Sequence, residues 1–251
     1  MAAVLRGFVA ALLLLSALSP GQAAAQSPES GLPAGAVEKI VRDYLLKNPE
    51  IVIEAIEAYK RKQTEAEDAA VRQALAARGP ELFDDPDSAV GGNPQGDVTL
   101  VEFFDYRCGV CKRVHPIITE LMTRDGGIRR VYKEWPILGP DSVFASRAAL
   151  AARRQGEEKY RAFHDAMMEA RGALKRETVL RIAAAVGLDG KRLLADLTAP
   201  EIERALQRNF SLAEALRLNG TPSFVIGDTV LRGARDIDTL LSIVRDARKK
   251  R

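Results

Sequence analysis

Two kinds of periodicity divide the chain. From Val37 onward apolar residues recur at helical spacing, and Val37, Ile40, Val41, Tyr44 and Leu45 share one face of a short helix. That helix stops where Asn48 can cap it and Pro49 can open a second. The second helix carries Ile51, Val52, Ile53, Ile56 and Tyr59, turns highly charged from Lys60 to Asp68, a part that reads as a solvated stalk, and continues to about Arg78. Glycines, prolines and aspartates then punctuate residues 81–97, which read as a linker. At Val98 the pattern changes to an unbroken apolar run through Phe104, rich in β-branched and aromatic side chains, the signature of a buried strand. Lys112 to Arg124 return to helical spacing, Ile128 to Trp135 read as a second strand, and Pro222 to Gly227 with Thr229 to Gly233 as a strand pair. Residues 138–219 are almost purely helical in pattern, and Asp236 to Arg248 form a closing helix.

Composition sharpens this picture in two places. The 37 basic and 34 acidic residues leave a formal charge of +3, spread along the chain, so no basic patch for nucleic acid is expected. The chain holds two cysteines, Cys108 and Cys111, separated by Gly109 and Val110. Such a pair is either redox-active or half of a metal site. At the N-terminus Arg6 precedes an apolar run from Phe8 to Leu18, then Ser19, Pro20 and the small residues Ala23, Ala24 and Ala25. That order reads as an export leader cleaved after about Ala25, too short in its apolar part for a membrane span. Export brings the pair into an oxidising compartment, yet a disulfide closing so short a loop constrains almost nothing in the unfolded chain. A structural zinc site needs four ligands, and with no other cysteine and only His115 and His164 available the chain cannot close a Cys-rich tetrahedron alone, unless subunits share the ion.

The position of the pair supplies its chemistry. Cys108 stands where a strand gives way to a helix, and a helix N-terminus presents unpaired N–H groups and partial positive charge. Both favour a thiolate, the form that attacks a disulfide. Cys108 is then the nucleophile, and Cys111, one turn deeper, the resolving sulfur. Glu102 lies in the incoming strand among Val101, Phe103 and Phe104, where an unpaired carboxylate is expensive to bury, so a functional reason is expected. His115 reads as a helix-surface residue, with tuning of the thiol as the alternative, His164 as a satisfied packing or surface residue, and Met167 and Met168 as core and rim.

At these residues the sequence resembles the thioredoxin superfamily, and within it the DsbA-like thiol:disulfide oxidoreductases, over most of residues 98–251. The Cys-Gly-Val-Cys motif carries the resemblance, with Pro116 matching the proline that kinks the family's active-site helix. Gly220, Thr221, Pro222, Ser223 and Phe224 match its cis-proline loop. The resemblance implies an α/β thioredoxin fold with a helical insertion at about 138–219. It also implies that Glu102 serves proton transfer at Cys111, and that Thr221 and Pro222 lie against the cysteines and bind substrate backbone. Threonine before the proline, with a helical extension over residues 26–80, is similar to the suppressor-of-copper-sensitivity C-type disulfide isomerases. The expected function is therefore a periplasmic disulfide isomerase or reductase acting on exported proteins, reset by a membrane redox partner and needing no cofactor beyond its own sulfurs. The apolar stretch within residues 36–59 exceeds what a lone helical hairpin can hide, and either folds back on the following domain or packs between copies of the chain. A monomeric DsbA-type oxidase, a copper or zinc binder using both cysteines as ligands, and a peptide-holding chaperone with incidental cysteines are the alternatives.

Overall fold

The computed structural model describes residues 33–250. The expected leader lies outside the described residues. The chain divides into two compact units between Ala58 and Tyr59.

In the first unit, helix α1 (Ala34–Lys47) ends at Asn48, whose backbone N–H and side-chain amide both donate to the Tyr44 carbonyl at 2.9 Å. Helix α2 (Glu50–Ala77) follows after one turn residue. No residue of α1 is buried, and Ile40, Tyr44, Leu46 and Ile53 are all exposed.

In the second unit, five strands among the described residues form one sheet: β1 (Val90–Gly92), β2 (Val98–Phe104), β3 (Ile128–Glu134), β4 (Ser223–Ile226) and β5 (Thr229–Arg232). Their spatial order is β1-β3-β2-β4-β5, with β2 and β3 parallel and the other pairs antiparallel. A parallel pair needs a crossover, supplied by helix α4 (Gly109–Arg124). Alternation along β2 sends Leu100 to a core with Val114, Ile118 and Leu121 of α4 and with Leu240 and Val244 of α10 (Ile237–Lys249). It sends Val101 and Phe103 to the other core, shared with Leu212 of α9 (Pro200–Ala215) and Leu216 just beyond it, Leu82 of α3 (Gly79–Phe83) and Val71 near the end of α2. Helices α5 (Pro140–Arg153), α6 (Glu157–Glu169), α7 (Arg176–Ala185) and α8 (Gly190–Asp196) build a third core that includes Phe104, Tyr106 and both cysteines.

Residues 81–97 differ from the expected linker. They follow directly on the start of α3 and contain the edge strand β1. Leu82 and Ala89 are fully buried, and Lys133 Nζ on β3 reaches back to Asp85 and the Glu81 carbonyl, both at 2.8 Å. A three-residue strand has no readable alternation, and its glycines are there for clearance. A Cβ on Gly91 would lie 2.5 Å from the Tyr132 hydroxyl, while Gly92, at φ +66°, would meet the Ile128 carbonyl at 2.6 Å. Beyond the charged stretch the end of α2 joins the core of Val101 and Phe103, with Val71 buried and Ala74 and Leu75 packed beside it.

Candidate active site

Cys108 is the N-cap of α4, and its sulfur accepts from the Cys111 backbone N–H at 3.4 Å. Asp105 fixes the turn that leads into it. This buried carboxylate accepts from the backbone N–H of Arg107 at 2.8 Å and from those of Ile137 and Leu138 at 2.9 and 3.0 Å, tying the end of β2 to the segment after β3. Far along the chain, the Thr221–Pro222 peptide is cis, and the Thr221 carbonyl lies 3.2 Å from Cys108 Sγ, where the thiol can donate to it. Cys108 is 8% exposed and Cys111 1%.

The two sulfurs are driven apart in acidity. Cys108 is lowered from the ordinary thiol value near 9 to about 5, first by the Cys111 thiol donating to it, then by the Thr221 side chain and the backbone N–H groups of Cys111 and Val110, all against the opposing effect of burial. After ionisation the Thr221 carbonyl has no proton to accept, and any stabilisation from that residue must come from a donor, its hydroxyl or its backbone N–H. Cys111 moves the other way: donating to Cys108 and being buried both hold its proton far above the usual thiol range. One sulfur is thus ready to attack at neutral pH while the other stays protonated behind it.

Glu102 is buried, as expected, but it is not unpaired. Arg130 Nε and Nη2 both donate to its Oε2, at 3.0 and 2.6 Å. The register explains the meeting. Glu102 stands opposite Tyr132 in the parallel pair, so Arg130, two residues back on β3, falls on the same face. The Glu102 carboxylate holds the Arg130 guanidinium above its ordinary value against a burial effect that would lower it. Sequence reasoning missed Arg130, although its position on the same face as Ile128 and Tyr132 in the strand was the available signal.

His115 is not on the surface of its helix. It is buried, its Nε2 faces Asp165 at 3.4 Å, and its Nδ1 has no partner among the described residues. Burial first, then Arg130 and Lys112, lower it to about 4, so it is neutral at pH 7 and supplies no positive charge to the thiolate. His164 is a fully buried packing residue with the Tyr106 hydroxyl at Nδ1 (3.1 Å) and Arg130 at Nε2 (3.4 Å). Met167 and Met168 are core.

For a metal, the one group of ligating side chains close enough among the described residues is His115, His164 and Asp165, with ligand atoms within 4.8 Å of one another. Neither cysteine belongs to it. Arg130 puts a fixed positive charge against His164, where a cation would have to sit.

Residues 99–245 match the family model of the DSBA-like thioredoxin domain. The chain belongs to this family. A second model, the copper resistance protein ScsC N-terminal domain, matches residues 35–66 of this DsbA-like protein. Among solved structures, a thioredoxin-like oxidoreductase from Silicibacter pomeroyi DSS-3 is 48% identical at a TM-score of 0.66, covering 68% of this chain and 97% of its own. Proteus mirabilis ScsC in a transitional conformation is 31% identical at a TM-score of 0.67, covering 88% of this chain and 100% of its own. Among curated proteins, a Na(+)/H(+) antiporter NhaA from Herminiimonas arsenicoxydans is 30% identical over 161 residues, which are 64% of this chain but 25% of the antiporter. The DsbA-like chain thus spans about a quarter of that relative. Fold and family together place a Cys-X-X-Cys pair on a thioredoxin frame, the arrangement of the DsbA-like thiol:disulfide oxidoreductases.

Proposed function

We propose that the protein is a disulfide isomerase or reductase of exported proteins. The observation that carries this reading is the asymmetry of the two sulfurs, Cys108 acidified to about 5 in front of a protonated Cys111. The Cys108 thiolate attacks a substrate disulfide, breaking its S–S bond, forming a mixed disulfide and releasing one substrate thiolate. In isomerisation that thiolate, or another in the same substrate, attacks elsewhere until one returns to the mixed disulfide and expels Cys108, with no net transfer of electrons. In reduction Cys111 loses its proton and attacks Cys108; the substrate leaves with two electrons and the pair is oxidised, to be reset by a membrane redox partner. A resolving thiol that holds its proton slows the second route and lengthens the time for reshuffling. Thr221 and Pro222 hold the substrate chain beside Cys108, and Glu102, held in place by the two hydrogen bonds from Arg130, serves the proton of Cys111. Gly109 and Val110 leave the loop between the sulfurs uncharged.

Copies of the chain associate through residues 36–59. The match to the ScsC N-terminal domain supports packing between copies, as does the run of apolar residues Ile40, Tyr44, Leu46 and Ile53 that α1 and the start of α2 leave uncovered within their own unit. The leader-like N-terminus supports a periplasmic location.

Refolding of scrambled ribonuclease tests the function. Catalysed recovery is expected from the purified reduced protein, whereas catalysis in the dithiol-oxidising direction alone rejects isomerisation. In that event a monomeric DsbA-type oxidase becomes the reading, and one observation favours it: thiolate stabilisation makes the reduced form the more stable one, which is what an oxidant requires.

A further inference from the structure

A cavity of about 900 Å³ opens between the first turns of α4 and the segment that joins α6 to α7. Gly109 of the motif forms part of its wall, with Arg113 and Pro116 from α4 and Met168 and Arg171 from the opposite side. Arg113 overlies the motif, since a Cβ built on Gly109 would lie 3.6 Å from its Nη1. Arg113 and Arg171 are both exposed and have no hydrogen-bond or ion-pair partner among the described residues. Lys112, also on the wall, is committed to the end of α6, donating to the Met167 carbonyl at 2.6 Å and the Ala170 carbonyl at 2.9 Å. Arg107 adds a fourth cation, and Glu169 is the one acid on the wall among the described residues. Cys108 therefore lies between two unlike walls, the Thr221 carbonyl at 3.2 Å on one side and, beyond Gly109, a positively charged cavity with an apolar floor.

We propose that this cavity receives the stretch of substrate polypeptide flanking the reacting cysteine, and that Arg113 and Arg171 select flanks carrying aspartate or glutamate. The inference rests on Cys108 as the attacking sulfur and adds a substrate class to it. A chain held by the Thr221–Pro222 loop and crossing Cys108 runs onto Gly109 and meets two unpartnered guanidinium groups, which favour carboxylates as bidentate acceptors.

The test uses three peptide disulfides, alike except for acidic, neutral or basic residues beside the cysteine, and the second-order rate constant for their reduction by the full-length reduced protein. The acidic peptide should react about three to ten times faster than the neutral one and the basic peptide slower, with the differences shrinking in ~1 M salt. In R113Q/R171Q the acidic-to-neutral ratio should fall to near one. Taking the ratio within each protein cancels any change in the intrinsic reactivity of Cys108, and both positions are exposed, so the fold is preserved. A wild-type ratio of one, or a ratio unchanged in the double variant, overturns the proposal. A preference for glutathione disulfide over a neutral small disulfide, with none among the peptides, also overturns it by assigning the cavity to a small thiol. Failure of all disulfides to react instead removes the exchange chemistry of Cys108 itself, and the proposal with it.

Discussion

Replacing Cys111 with alanine removes the S–H that contributes most to the acidity of Cys108. A hydrogen bond to a charged group contributes about 1.5–3 kcal/mol, and each pKa unit corresponds to about 1.4 kcal/mol. The Cys108 thiol should therefore rise from about 5 by roughly one to two units, held there by the Thr221 side chain and the backbone N–H groups of Cys111 and Val110. At pH 6 the ionised fraction would drop from about nine-tenths to between about a tenth and a half. Thiolate absorbance in the ultraviolet and the pH dependence of alkylation both read this fraction, with Cys108→Ala as the blank. The same acidity enters folding. Because the folded value is depressed below the unfolded one, the stability it contributes is fully present above pH 9 and is lost as pH falls through 5. At neutral pH it amounts to at most about 2–3 kcal/mol, an upper figure because water at the exposed edge of the sulfur screens it. Denaturation of the reduced protein against Cys108→Ala isolates that contribution. A wild-type half-ionisation at pH 8 or above, or no displacement in Cys111→Ala, would refute the reasoning.

Glu134 gives the opposite sign. It is fully buried, its Oε1 accepts from Tyr160 at 2.5 Å, its Oε2 has no partner among the described residues, and burial raises it from 4.5 to about 7. Stability should therefore fall as pH rises from 4.5 to about 7, and Glu134→Gln should abolish that fall, adding roughly 1–3 kcal/mol above pH 7 in urea denaturation. An identical pH profile for wild type and variant would count against it. Glu102→Leu leaves Arg130 buried without its counter-charge and should cost about 3–5 kcal/mol, whereas joint replacement with Arg130→Met should recover most of that loss. If the double variant is as unstable as the single one, the pair is not the reason. A chain beginning at Tyr59 keeps Val71, Ala74 and Leu75 in the core and should be a stable monomer that loses isomerase action before simple thiol exchange. An unchanged particle mass by light scattering would reject association through residues 36–59. Cutting near Pro80 should lower the melting temperature as well, because Arg78 binds Glu81 and the Ser211 carbonyl.

Local signals made the central features legible. Val98 to Phe104 could only be a buried strand, Cys108 followed it directly, and a helix of matching apolar spacing came next, so the polarised sulfur pair followed from neighbours in the chain. What depended on distant residues was not legible. The ion pair of Glu102 and Arg130 arises from strand register across a crossover, and the burial of His115 from helices that pack over α4. The strand at Val90 is held by its antiparallel pairing with β3, with Gly91 leaving room for the Tyr132 ring, and not by any pattern of its own. Sequence by itself determined which groups carry the chemistry, because backbone direction and helix termini are set within a few residues. Tertiary structure decided which charges those groups face, because electrostatic energy depends on distance and burial that only the packed chain defines.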